Sequence, residues 1–189
     1  MLEKDDTVED ERELWYQYFE KFGERNLQFL REQQLITKDI EVERRFEDAT
    51  RFLFEKKLKH KPLKLVGTAH ADGAVSYQDK LIFWDNKSKE SEVNLKDHVS
   101  QFDGYIQNAD KKVAVFLVIG PAFTEESSVL AMQYLVENGT TISLITAAEL
   151  KALAEEWVGR KGGSGDAPFP LGYLIQVGRF NRKLVPKID

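Results

Sequence analysis

Two aspartates and a lysine fall at the ends of two predicted β-strands, where they could act on a charged substrate. Residues 80–87 alternate with a period of two, which places Asp85 and Lys87 on one face of a strand that is otherwise apolar. Asp72 lies at the beginning of the preceding strand. In an antiparallel hairpin the start of one strand lies beside the end of the next. We therefore expect the carboxylates of Asp72 and Asp85 to approach each other.

Paired carboxylates beside an ammonium group are typical of a divalent-metal site. Two carboxylates held close together repel and raise each other's pKa, whereas a bound Mg²⁺ favours both ionised forms. Lys87 is placed to orient or deprotonate a water molecule, or to neutralise charge that develops on a phosphoryl oxygen. The pattern therefore indicates phosphodiester hydrolysis. The competing interpretation is an ordinary ion pair between Asp85 and Lys87 at the end of a surface strand.

The composition limits the kind of site and the kind of binding that the chain can support. The absence of cysteine excludes disulfides, thiolate metal sites and a cysteine nucleophile, and it favours hard cations with oxygen ligands. The net charge of −5 is unevenly distributed, because residues 1–50 carry −7 and residues 51–189 carry +2. A nearly neutral body binds a polyanion weakly, so tight binding to DNA would need another domain, another subunit or a local patch.

The length and the hydropathy of the chain indicate one catalytic domain with additional segments. The 189 residues can bury one good core but not two typical enzyme domains. No stretch approaches the roughly 20 apolar residues of a membrane span, and the N-terminus is acidic where a secretory signal would be basic and then apolar. We expect a cytoplasmic protein without a membrane partner.

Hydrophobic periodicity predicts the order of the elements. An aromatic stripe at helical spacing in residues 14–35 predicts a broken helix or a helical hairpin that packs on its own core. The body is predicted to follow the order αβββαβαβα, with these elements: helix 39–58, strands 63–68, 74–78 and 80–87, helix 95–108, buried strand 113–119, helix 125–137, strand 141–145, and a helix that opens with the capping box of Thr146 and Glu149. The glycine-rich residues 160–165 predict a flexible joint, and the pattern predicts no structure for residues 169–185.

The motif formed by Asp72-Gly73 and Asp85-Asn86-Lys87 resembles the active site of the PD-(D/E)XK nucleases. Phe46-Glu47 on the preceding helix is similar to the helix that supplies an additional acid in many members, and the element order of residues 39–145 is similar to their common core. Ala71 stands where the motif has proline, which contributes no ligand. Within the superfamily, residues 71–75, 85–87, Tyr105 and residues 116–123 most resemble the cleavage domain of FokI-type type IIS restriction endonucleases.

The resemblance implies a fold and a domain organisation. The expected fold is α/β, with a restriction-endonuclease-like αβββαβ core in which helices flank a mixed central sheet, and with an N-terminal helical extension. The expected divisions are an acidic, helical extension over residues 1–38, a nuclease core over residues 39–158, and a flexible joint and C-terminal segment over residues 159–189.

The resemblance also implies roles for individual residues. Asp72 and Asp85 are expected to bind Mg²⁺, for which Mn²⁺ can substitute, and the backbone carbonyl of Asn86 to add a ligand. Lys87 is expected to assist the attacking water, and Glu47 to serve as a further catalytic, metal-associated acid. The candidate DNA contacts are Gln101, Tyr105, His70 and Lys89.

Several of these residues also have structural interpretations that the sequence leaves open. Glu47 can equally belong to a solvated helix face, because other acidic residues surround it. Gln101 and Tyr105 can be structural, and His70 can be a loop histidine without a ligand.

The leading functional expectation is a Mg²⁺-dependent DNA endonuclease domain that resembles a type IIS cleavage module. Such a domain would take its specificity from a separate DNA-recognition domain or subunit, and it would self-associate to cut both strands. One alternative is another PD-(D/E)XK enzyme, either a repair nuclease or a Holliday junction resolvase. The other alternative is an inactive nuclease fold that serves as a binding module.

Overall fold

The structure, a computed structural model, describes residues 10–67, 69–162 and 165–189. The α-helices in these residues are α1 (Glu11–Gln17), α2 (Phe19–Gly23), α3 (Leu27–Glu32), α4 (Glu41–Phe52), α5 (Val99–Gln107), α6 (Glu125–Asn138) and α7 (Ala147–Val158). The β-strands are β1 (Gly73–Tyr77), β2 (Lys80–Asn86), β3 (Val113–Gly120), β4 (Thr141–Thr146) and β5 (Gly178–Arg179). A π-helical turn (Leu53–Lys57) extends α4, and 3-10 turns form at Leu95–Asp97, Leu171–Leu174 and Arg182–Leu184.

The five strands form one mixed sheet in the order β1-β2-β3-β4-β5. β1 and β2 form an antiparallel hairpin, and each later strand pairs with its neighbour in parallel. The central strand β3 is buried along almost its whole length, as expected of a strand that is covered on both faces. The predicted α/β class, with a mixed sheet, flanking helices and an N-terminal helical region, is confirmed.

Local sequence signals account for the ends of several elements. The hairpin turns at Gln78, which adopts a positive φ of 54°. Helix α6 ends at Gly139, whose φ of 78° is the left-handed conformation that closes many helices. Helix α7 begins with the predicted capping box, in which the side chains of Thr146 and Glu149 each accept a hydrogen bond from the other's backbone.

Helices cover both faces of the sheet, and the alternation of β2 directs its side chains into two cores. Ile82 and Trp84 point into a core that is formed with α1, α2, α4 and α7. Leu81 and Phe83 point into the opposite core, where Phe102 of α5 packs against Phe116 of β3. Asp85 follows Phe83 on this second face, so its carboxyl group at the end of β2 lies on the α5 side of the sheet.

The aromatic stripe near the N-terminus packs on the same core as the sheet, as predicted. Phe19 and Phe22 are fully buried. The ring of Phe19 lies 5.1 Å from that of Phe46 on α4, measured between centroids. The C-terminal segment enters the same core through Phe169, whose backbone N–H donates a hydrogen bond of 2.9 Å to the carbonyl of Leu58.

The predicted strand over residues 63–68 is wrong for the part that is described. Residues 63–67 form no strand, although the N–H of Leu63 donates a 2.8 Å hydrogen bond to the carbonyl of Ala74. Val66 is 84% exposed, and Gly67 has a φ of 89°, which is incompatible with an extended strand. The apolar residues of this stretch therefore do not mark a strand that is buried in the sheet. Thr68 lies outside the described residues.

The predicted flexible joint over residues 160–165 includes Gly163 and Ser164, which lie outside the described residues.

Among the helices of the described ranges, none has both the length and the apolar character that crossing a bilayer requires.

Candidate active site

The hairpin of β1 and β2 brings Asp72 and Asp85 together. Gly73 is the partner of Trp84 in the antiparallel register, so Asp72, one residue earlier, lies beside Asp85, one residue later. Oxygen Oδ2 of Asp72 accepts a hydrogen bond of 2.7 Å from the backbone N–H of Asn86. This bond holds the Asp72 carboxylate at the open end of the hairpin, beside the last residues of β2.

Lys87 continues the same face of the chain beyond Asp85. Its Nζ lies 2.8 Å from Oδ2 of Asp85, and the side chains are 22% and 6% exposed, respectively. This ion pair favours the charged form of Asp85 and so opposes the rise of its pKa. Nζ also lies 5.4 Å from the centre of the Phe102 ring, which offers it a second favourable contact. The ammonium group is thus held between a carboxylate and an aromatic face.

Burial and mutual repulsion perturb both aspartates in the same direction. Burial, together with the negative charge of Glu47, raises the pKa of Asp72 to about 6. Burial, together with the negative charge of Asp72, raises the pKa of Asp85 to about 6, even though Lys87 opposes the change. Two carboxylates that resist ionisation are stabilised in their charged form when a cation binds between them.

Helix α4 adds a third carboxylate to this region. Burial raises the pKa of Glu47, and the nearby Asp72 carboxyl opposes that change through a side-chain hydrogen bond. One turn later, Arg51 donates a 2.9 Å hydrogen bond from Nη2 to the backbone carbonyl of Asp72 and pairs with Asp48 at 3.2 Å. The helix therefore contacts the site through the face that carries Glu47 and Arg51.

The donor set fits a hard divalent cation that retains part of its water shell. In residues 10–67, 69–162 and 165–189, no three acidic or histidine side chains are arranged to enclose one metal ion. Mg²⁺ is usually bound by one or two carboxylates and several waters, so it does not need a closed cage of side chains. The close approach of the two carboxyl groups and the raised pKa values of both aspartates are consistent with such a ligand.

Asn86 lies on the opposite face of β2 from the two aspartates. Its side-chain Nδ2 donates a 2.7 Å hydrogen bond to the hydroxyl of Thr50, which in turn donates a 2.8 Å bond to the carbonyl of Phe46. Asn86 and Thr50 are both buried. Asn86 thus joins the strand to α4 through its side chain while its backbone N–H holds Asp72.

Of the four candidate DNA contacts, Tyr105 is near His70, with which it lines a cavity, and near Gln101, whose side-chain hydrogen bond opposes the rise of its pKa. Nδ1 of His70 lies 2.6 Å from the carbonyl of Ala71. Burial and then the negative charges of Asp85 and Asp72 raise the pKa of Tyr105, so its hydroxyl is near the carboxylates. Gln101 and Lys89 have exposed side chains on the surface.

Sequence reasoning missed three residues that contact or support the site. Arg51 and Thr50 lie four residues after Glu47 and Phe46, and this helical spacing could have identified them. His98 lies four residues before Phe102, and its ring stacks on that of Phe102 at 5.9 Å between centroids. Burial and the positive charge of Lys87 lower the pKa of His98, so it lies within electrostatic reach of the same site.

The solved structures that are similar to this fold include two of restriction endonuclease FokI. The structure of restriction endonuclease FokI aligns with a TM-score of 0.60 and 15% identity, and the structure of FokI bound to DNA aligns with a TM-score of 0.59 and 16% identity. Each alignment covers 74% of this chain and 28% of the FokI chain. No protein-family model matches the chain, and no curated protein is significantly similar to it. The likeness shows a restriction-endonuclease-like fold, which confirms the predicted fold class.

Proposed function

We propose that this chain is a Mg²⁺-dependent DNA endonuclease domain of the PD-(D/E)XK type, similar to the cleavage module of a type IIS restriction enzyme. The observation that carries the proposal is the convergence of Asp72, Asp85 and Lys87 at one end of the β1-β2 hairpin, with Lys87 ion-paired to Asp85 at 2.8 Å. The likeness to FokI bound to DNA supports DNA as the substrate.

Each residue of the site would have its own role in the proposed reaction. Asp72 and Asp85 would bind the cation with the Asn86 carbonyl, and Glu47 would add negative charge at the α4 side. The bound Mg²⁺ would supply a Lewis acid that polarises the phosphate and makes a coordinated water more acidic. Lys87 would orient the attacking water, or place its positive charge beside the phosphoryl oxygen where negative charge develops.

The proposal extends to how such a module reaches its target. The chain aligns with only 28% of the length of FokI, and its residues 51–189 carry a net charge of just +2. We therefore propose that a separate DNA-recognition domain or subunit provides tight binding. One site cuts one strand at a time, so double-strand cleavage would require two copies of the chain to pair.

A plasmid assay tests the proposed activity. The purified chain should convert supercoiled plasmid to the nicked form in Mg²⁺, and EDTA should prevent the conversion. Lys87→Ala should lose at least about 100-fold in rate, as is typical when a group that stabilises transition-state charge is removed. Lys111→Ala is the matched control, because Lys111 is exposed and precedes β3 at the opposite end of the sheet. Equal nicking by the parent and Lys87→Ala would show that the site does not act as proposed.

The same preparation separates the proposal from its two alternatives. A cleavage module should cut linear duplex and plasmid DNA, whereas a junction resolvase would cut only four-way junctions. A binding module would slow the migration of DNA in a mobility-shift assay but would cut neither substrate at any Mg²⁺ or Mn²⁺ concentration. The four-way junction and a linear duplex of the same arm sequence provide the matched substrates.

A further inference from the structure

A cavity of about 330 Å³ adjoins the proposed active site on the α5 side of the sheet. Its apolar wall is formed by the side chains of Leu81, Phe83 and Ala71, which are buried. Tyr105 borders it from α5, Asn108 borders it from the residue after that helix, and His70 borders it from the loop before β1. The cavity thus combines an apolar interior with polar groups at its edge.

One edge of the cavity borders the residues that the proposed function places at the scissile phosphate, because Ala71, Phe83 and Tyr105 line it. Phe83 precedes Asp85 on the same face of β2, a separation of about 6.6 Å along a strand. Ala71 immediately precedes Asp72 in the chain. Burial is the largest cause of the raised pKa of Tyr105, and the negative charges of Asp85 and Asp72 add to it, so Tyr105 lies near both aspartates. A group that belongs to the nucleotide at the cut could therefore enter the cavity while its phosphate lies at the carboxylates.

The chemistry of the lining favours a flat, aromatic ligand with polar edges. The volume is at the lower end of the range of small-molecule pockets, roughly 300–1,000 Å³. The half-buried ring of Tyr105 provides a stacking surface that accepts any base. The Asn108 amide and the His70 ring can meet the hydrogen-bonding edge of a base. Lys64 and Asp110 also line the cavity and carry opposite charges, so the lining offers a second phosphate no excess of positive charge.

We propose that this cavity receives a nucleobase of the strand being cut, unstacked from the duplex next to the scissile phosphate. The inference rests on the proposed nuclease function and narrows its substrate class to DNA in which a base near the cut is unpaired or easily unpaired. Mismatched or damaged bases leave the stack at the lowest energetic cost, so they should be preferred.

Fluorescence of 2-aminopurine tests occupancy of the cavity without requiring cleavage. The analogue is placed in a mismatch within a short duplex and titrated with the full chain carrying Lys87→Ala, which leaves the strand uncut. Its emission should rise several-fold on binding, because the base leaves the stack. Adding Asn108→Trp, which places a large ring at a lining residue just after α5, should abolish the rise. Gln107→Trp is the matched control, since Gln107 is the exposed last residue of α5 and does not line the cavity.

A cleavage assay distinguishes failure of the cavity proposal from failure of the nuclease proposal. The parent chain should cut beside the mismatch about tenfold faster than in the matched duplex, which reflects the lower cost of unstacking, and Asn108→Trp should remove that preference. Equal cutting of both duplexes, or an emission rise that survives Asn108→Trp, overturns the cavity proposal while cleavage itself stands. An emission rise that depends on Asn108 in a chain that cuts neither duplex supports the cavity and overturns the nuclease function.

Discussion

The side-chain amide of Asn86 donates a 2.7 Å hydrogen bond to the hydroxyl of Thr50, and this bond joins β2 to α4. The backbone N–H of the same asparagine holds the Asp72 carboxylate at 2.7 Å. The relationship between Asn86 and Thr50 therefore couples the position of one proposed metal ligand to the helix that carries Glu47. The side chains of Asn86 and Thr50 do not lie on the face of the aspartates, so in the proposed reaction they would position the site without contacting the substrate.

Thr50→Val should reduce both stability and the rate of cleavage. The substitution preserves the shape of the side chain but leaves the buried amide of Asn86 without its acceptor, at a cost of about 1–3 kcal/mol. We expect a lower melting temperature and about a tenfold lower kcat, because a small displacement of reacting groups slows the chemical step. KM for DNA should change little. Thr50→Ser retains the hydroxyl and should retain the rate, so equal losses in both variants would contradict a role for the hydroxyl.

Gly73→Ala should destabilise the hairpin that carries the site. A Cβ atom at Gly73 would lie 2.1 Å from ring atoms of Trp84, which itself stacks on Phe54 at 4.3 Å between centroids. The ring cannot move freely, so we expect a loss of about 1–3 kcal/mol or more in the free energy of unfolding.

Gly104→Ala provides the matched control for that substitution. Within the described ranges, no neighbouring atom lies within 4 Å of a Cβ built at Gly104 on α5. The same added methyl group should stabilise the helix by about 0.5–1 kcal/mol. Thermal or denaturant unfolding measures both variants, and a Gly73→Ala protein as stable as Gly104→Ala would contradict the close approach to Trp84.

Asp72→Asn should stabilise the metal-free protein at neutral pH. Burial and neighbouring charge raise the folded-state pKa of Asp72 to about 6, so the folded protein binds this proton more tightly than the unfolded chain does. The stability that this group contributes is fully present below its unfolded pKa of about 3.9 and is lost as pH rises through about 6. In EDTA, the variant should therefore be more stable than the parent by about 1 kcal/mol near pH 7.5, and the difference should vanish near pH 4.

Unfolding curves at both pH values measure this effect. Asp110→Asn is the control, because it removes the same charge at an exposed position before β3, at the opposite end of the sheet. An Asp72→Asn protein that is less stable than the parent at neutral pH, in the absence of metal, would contradict the predicted repulsion.

The rate of cleavage should fall as pH decreases through about 6, since both Asp72 and Asp85 must lose their protons to bind a cation. Metal and protons compete for the same oxygens, so a higher Mg²⁺ concentration should move the midpoint of the profile to lower pH. Initial nicking rates across the pH range at a low and a high Mg²⁺ concentration measure the shift. A midpoint that does not depend on Mg²⁺ would indicate that a group outside the metal ligands controls the rate.

Period-two alternation predicted how β2 presents its charged end, because that pattern depends only on the geometry of one strand. The capping box at Thr146 was also predictable, since both of its partners lie within one helical turn. The bond between Asn86 and Thr50 was not, because it depends on how α4 is rotated on the sheet. Residues 63–67 have apolar character without strand geometry, and the two-residue strand β5 is too short to produce a periodic signal.

The shared core of the N- and C-terminal segments has a practical consequence for protein engineering. A fragment trimmed to residues 39–158 would contain every proposed catalytic residue, yet it would lack Phe19, Phe22 and Phe169, which fill the core beside Trp84. Such a fragment would expose a broad apolar surface and tend to aggregate. A foreign DNA-binding domain should therefore be attached outside residues 10–189, and the whole of that range should be kept.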